Sequence, residues 1–121
     1  MKFILIVLLA AALGGCAQTP ADLREKGDRA EFAMRQAPAG AAACVARNME
    51  NGNSFWGVPV TTGVREGFAP GQIELVVSYQ DHYFITADFV PFQSGATAVV
   101  WVSSRVAQSL RDRLLGAFTG C

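Results

Sequence analysis

The segment Ile73-Glu74-Leu75-Val76-Val77-Ser78-Tyr79 puts Ile73, Leu75, Val77 and Tyr79 on one side of an extended chain, and Glu74, Val76 and Ser78 on the other. Side chains alternate across a strand, so this period of two marks a strand with one face to bury. Phe84 to Val90 repeats the pattern, with Ile85, Ala87 and Phe89 against Phe84, Thr86 and Asp88. The two segments lie close enough to form a hairpin, and paired residues must share a face. A two-residue Asp81-His82 turn would oppose Val77 to Thr86 and mix the faces. A three-residue loop, Asp81-His82-Tyr83, sets Tyr79 by Ile85, Val77 by Ala87 and Leu75 by Phe89, and is the expected connection.

Ser94-Gly95 turns into a further strand, Ala96 to Ser103, and Ala69-Pro70-Gly71 is a turn before the first. Phe55 to Val64 is β-rich but broken by Gly57, Pro59 and Gly63, and Pro59 places it at an edge or a bulge. Upstream, Glu31 to Gln36 alternates, with Phe32 and Met34 on one face. Pro38 suits a first helical position, and Ala39 to Glu50 follows with Ala41, Cys44, Val45 and Asn48 on one face and Met49 beside them. Asn51-Gly52 ends that helix. Ser103 or Ser104 is the expected cap of a last helix carrying Val106, Leu110, Leu114 and Phe118, with Gly120 at its end. The order β-α-β-β-β-β-α predicts an α+β fold: a four- to five-stranded antiparallel sheet with two helices on one face.

Met1-Lys2 precedes an unbroken apolar run from Phe3 to Leu13. Those eleven residues are too few to span a bilayer as a helix; they read as an export signal. Leu13-Gly14-Gly15-Cys16 resembles the lipobox of bacterial lipoproteins. The resemblance implies cleavage between Gly15 and Cys16, a diacylglyceryl thioether on Cys16 and acylation of its freed amine. Several acyl chains hold a protein far more firmly than one. Ala17 follows the cysteine where Asp commonly retains such proteins in the inner membrane, so the implied address is the periplasmic face of the outer membrane. Residues 16–28 read as a lipidated, flexible tether and 29–121 as one globular domain.

Ten Lys and Arg balance ten Asp and Glu, and loss of Lys2 with the signal leaves a slight acidic excess. Nucleic-acid binding therefore has no electrostatic footprint. Cys44 and Cys121 remain after lipidation, and in an oxidising compartment such a pair is most simply a disulfide. No spacing of Cys and His suits a metal, and no cofactor is expected.

Two broader resemblances follow. Ala42-Ala43-Cys44-Val45-Ala46-Arg47-Asn48-Met49-Glu50, with the strand-rich middle and the terminal Cys121, is similar to small proteobacterial lipoproteins, and implies an address rather than an activity. The element order also resembles the TBP-like or helix-grip topology found in the C component of the outer-membrane β-barrel assembly machinery. That likeness concerns topology alone.

Candidate chemistry is sparse. His82, the one histidine, adjoins Asp81, which suggests a general base, but a polar loop residue is the ordinary account. Ser103-Ser104 reads as a helix cap rather than a nucleophile, and the carboxylates are scattered over different elements. The least ordinary feature is the second face of the sheet, where Val76, Phe84, Val90, Val99 and Trp101 should lie. An open apolar face of that size marks a partner unless the tether or the Phe55-Trp56 segment folds over it. The expected role is a non-enzymatic interaction module for an envelope protein or polymer. The alternative is an inhibitor of a periplasmic lysozyme or protease, with the Asp81-His82-Tyr83 loop plugging a cleft.

Overall fold

A computed structural model of the chain describes residues 19–51 and 60–121. The expected export signal, the Gly15-Cys16 junction and the first half of the Phe55 to Val64 segment, Pro59 included, lie outside the described residues. In chain order the elements are α1 (Pro20–Lys26), β1 (Asp28–Met34), α2 (Pro38–Asn51), β2 (Thr61–Glu66), β3 (Ile73–Tyr79), β4 (His82–Phe92), β5 (Gly95–Val102) and α3 (Gln108–Gly116). The strands form one antiparallel sheet in the order β1-β5-β4-β3-β2. The α+β class, the five-stranded antiparallel sheet and the two helices packed on one face stand as the sequence implies. A third helix, α1, forms where the sequence predicts a flexible tether.

The main core lies between that face and α2 and α3. Leu75, Val77, Ile85, Ala87, Phe89, Ala98 and Val100 are fully buried, as are Ala41, Ala42, Val45 and Met49 of α2. Small residues set the fit. Ala98 of β5 lies between Phe32 of β1 and Phe89 of β4 in one cross-strand row. Its missing bulk admits Phe118, whose ring stacks on Phe32 at 5.1 Å and on Phe89 at 6.1 Å between centroids. Offset stacking of this kind adds to the burial of each ring.

The β3–β4 connection differs from expectation. Gln80 and Asp81, both at positive φ (48° and 63°), form a two-residue turn between Tyr79 and His82. Positive φ at both central positions matches the twist of the flanking strands. That turn alone would mix the faces, and a β-bulge corrects it: Ser78 pairs with Tyr83 and Val77 with Ile85, leaving Phe84 as the extra residue. Beyond it Leu75 pairs with Ala87 and Ile73 with Phe89. Face sharing holds as reasoned, in a register two residues away from the expected one. The bulge also moves Phe84, which packs against the main core beside Tyr79.

At the other end of the sheet, Gln72 N–H donates to Ala69 O at 3.0 Å, closing the Ala69-Pro70-Gly71-Gln72 turn. Gly71 sits there at φ +79°, a conformation that favours glycine. The expected Ser cap of the last helix is absent. Ala107 occupies the N-cap without a side-chain bond, and Ser103 Oγ instead accepts from Arg105 N–H at 3.3 Å.

Candidate functional site

The second face of the sheet is where structure and expectation diverge most. Residues 20–26, read as tether, form α1 and lie over β4 and β5. The local cause is a capping box. Thr19 Oγ1 accepts from Asp22 N–H at 3.2 Å, Thr19 N–H donates to Asp22 Oδ2 at 3.0 Å, and Pro20 occupies the first turn. These hydrogen bonds hold the Asp22 carboxyl below its ordinary range, the backbone N–H of Thr19 contributing most. Leu23 is the one buried residue of α1, at 1 % exposure, and it belongs to this second layer rather than to the main core.

Arg24 fastens the helix. Its Nη2 donates to Glu74 Oε2 at 2.5 Å and to Asp88 Oδ1 at 2.7 Å, while Nε donates to Asp88 Oδ2 at 3.1 Å. Its guanidinium also lies over the Trp101 ring at 5.6 Å from the centroid. Arg65 of β2 reaches the other Glu74 oxygen. Glu74 and Asp88 are paired across β3 and β4, so two carboxylates share one patch of sheet, with two arginines to neutralise them. Burial alone would raise the Glu74 carboxyl; hydrogen bonds from Arg24 and Arg65 overcome that and hold it below its ordinary value.

The expected partner face is therefore divided. Trp101, Val76 and Val99 are half-buried, and Phe84 has left the face. Val90 remains open at 38 %, with Phe92 beyond it at 60 %. The physical reason is that Thr86, Trp101 and the Glu74–Asp88 pair are covered by the chain's own α1. The alternative weighed for that face, the tether folding over it, describes this part of the sheet.

The β3–β4 end of the molecule carries a cleft of about 370 Å³. Exposed His82, Tyr83 and Arg105 line it together with half-buried Phe84, Val106 and Leu110. Ser103 lines it as well, so the structure brings His82 and Ser103 to one recess that the sequence left unconnected. Asp81 does not join them: it sits in the turn at φ 63° and does not line the cleft. Cleft polarity is low, with a cation at Arg105, and this suits an apolar group with an anionic or polar end.

The expected disulfide is present. Cys44 of α2 is bonded to Cys121, with Cα atoms 5.9 Å apart and a separation of 77 positions in sequence. The last residue is further held by Arg35 and Gln36 N–H groups, each donating to Cys121 O at 3.1 Å. Asn48 Nδ2 donates to Ala117 O at 2.9 Å beside the bridge. Among the described residues no group of His, Cys, Asp and Glu is placed to hold a metal, and no helix is long and apolar enough to cross a membrane. Comparison with known protein families, with curated proteins and with solved structures finds no match.

Proposed function

We propose that this is an exported, lipid-anchored protein of the bacterial envelope, held through Cys16 on the periplasmic face of the outer membrane, whose folded domain is a non-enzymatic binding module. The lipobox-like Leu13-Gly14-Gly15-Cys16 supports the anchor. The Cys44–Cys121 bridge supports the compartment, since such bonds persist where the surroundings are oxidising. The observation that carries the binding reading is the cleft at the β3–β4 end, where Tyr83, Phe84, Val106 and Leu110 offer apolar surface beside the cation of Arg105. Pockets of this composition and size hold a side chain or a small apolar group with one polar end. The partner is thus an envelope protein or polymer that presents such a group.

Crosslinking capture from native envelopes tests this reading. The full lipidated protein is compared with a Tyr83→Ala, Arg105→Glu variant, whose altered residues are exposed and leave the core untouched. The expected result is a specific partner on the native protein and at least a tenfold lower yield on the variant. Equal capture by both, or reproducible capture by neither, overturns the assignment of the cleft.

A further inference from the structure

We infer that the Phe68–Phe92 end of the sheet rests in the surface of the same bilayer that holds Cys16, so that the domain lies against the membrane in one fixed orientation. This rests on the lipid anchor proposed above. Cys16 and Thr19 are three residues apart, and no conformation of a peptide spans more than about 11 Å over that length. Thr19 is already fixed as the cap of α1. A bilayer holding the Cys16 lipid therefore lies close against the α1 side of the sheet, and no long tether separates them.

The direction of α1 selects the end of the sheet. Its C-terminal Gly27 is packed against Val102 and Trp101, at the end where β5 finishes and β1 starts. One turn earlier, Arg24 reaches Asp88 and Glu74, further into the sheet. The N-terminus of α1 thus points away from the Val102 end and toward the β2–β3 and β4–β5 connections. Phe68 on the β2–β3 connection, at 91 %, and Phe92 at the end of β4, at 60 %, are the two most exposed large apolar side chains among the described residues, and Val90 at 38 % adjoins Phe92 on β4. The Gly71 turn and the end of β4 at Pro91 lie against each other, since a Cβ added at Gly71 would lie 3.2 Å from Pro91 Cγ. Phe68 is displayed by the closed turn at Gly71 and not by a long arm. A rigid loop that offers a phenylalanine to solvent is explained when the medium there is the acyl–headgroup boundary. The orientation also turns the His82–Arg105 cleft, at the opposite end of the strands, away from the membrane and toward soluble partners.

The test places a fluorophore at each end. Phe68→Trp and, as a control on the far side, Gln108→Trp are made in the full lipidated protein. Both are reconstituted in phosphatidylethanolamine–phosphatidylglycerol vesicles whose acyl chains carry bromine near the headgroup. Quenching is corrected for the native Trp56 and Trp101 with the unaltered protein, and Cys16 acylation is checked on each sample by mass spectrometry. Both positions are exposed, so neither substitution disturbs packing. The expected result is quenching of the Phe68→Trp protein at least twofold greater than that of the Gln108→Trp protein. Equal or lower quenching on protein with acylated Cys16 overturns the orientation and leaves the anchor standing. A Cys16 that carries no lipid in its native host overturns the anchor, and the orientation with it.

Discussion

At the scale of single residues, Arg24 is the side chain on which the second layer depends. Glu74 is almost wholly buried, with 4 % of its side chain exposed, and a buried carboxylate that loses its partner is expensive. Breaking a fully buried pair costs about 3–5 kcal/mol. Arg24 is itself a fifth exposed and Arg65 still reaches Glu74, so Arg24→Ala should cost less, on the order of 2 kcal/mol in urea unfolding. The same contact sets an acid limb. Glu74 is held below its ordinary value of 4.5, so the stability it contributes is complete above that pH and is lost as pH falls through the depressed native value. The stability gap between the native protein and Arg24→Ala should therefore be constant near neutrality and shrink below pH 4.5. A gap that widens in acid would contradict the assignment.

At the scale of elements, α1 is held by one cap, one buried leucine and one arginine, and it should behave as a separable layer. Leu23→Ala removes its only buried side chain, and large-to-small changes of this kind cost about 2–5 kcal/mol in a well-packed core. Because α1 is a short surface layer, the effect expected is at the low end, with local undocking before global unfolding. Trp101 lies under Arg24, so the undocking should appear as a red shift and rise in accessibility of tryptophan fluorescence, while amides of β3, β4 and β5 keep their exchange protection. Loss of protection throughout the sheet would show that α1 is part of the main core.

The same elements show what the sequence can and cannot convey. Alternation at Ile73–Tyr79 and at Ile85–Phe89 made the sheet and its buried face legible, because period two admits few other readings. The hairpin register was not, since the signal for its turn lay in Gln80 and Asp81, of which Gln is an unusual residue at positive φ. Parity was then restored by a bulge at Phe84 that leaves no mark in composition. α1 had a readable start in Thr19-Pro20-Ala21-Asp22, a capping box with proline in the first turn. Beyond that start the signal is faint, because Leu23 is its one large apolar residue, and a helix held by an ion pair has little periodicity to display. The Glu74–Asp88 patch was invisible for a related reason: each carboxylate stands on the polar face of its strand, and Arg24 meets them from fifty or more residues away in sequence.

At the scale of the whole molecule, the Cys44–Cys121 bridge joins α2 to the last residue and so closes the chain from the middle of α2 through β5 and α3 into one loop. Constraining a loop of that length stabilises by about 4–5 kcal/mol in the chain-entropy description. A domain of this size has only about 5–15 kcal/mol in total. The Cys44→Ser, Cys121→Ser double variant should therefore lose several kcal/mol and be marginally folded at 37 °C, as followed by circular dichroism. A change under about 1 kcal/mol would mean that packing of Phe118 against Phe32 and Phe89 already fixes the terminus without the bond.

The compartment, the meaning of the bridge and the orientation at the membrane all depend on the proposed lipid anchor. Its direct measurement is the mass of the N-terminal peptide of the protein isolated from membranes of its native host. The prediction is a mature chain that begins at Cys16 and carries diacylglycerol on its sulfur. A chain that begins at Met1, or one cut elsewhere and bearing a free Cys16 thiol, would contradict it.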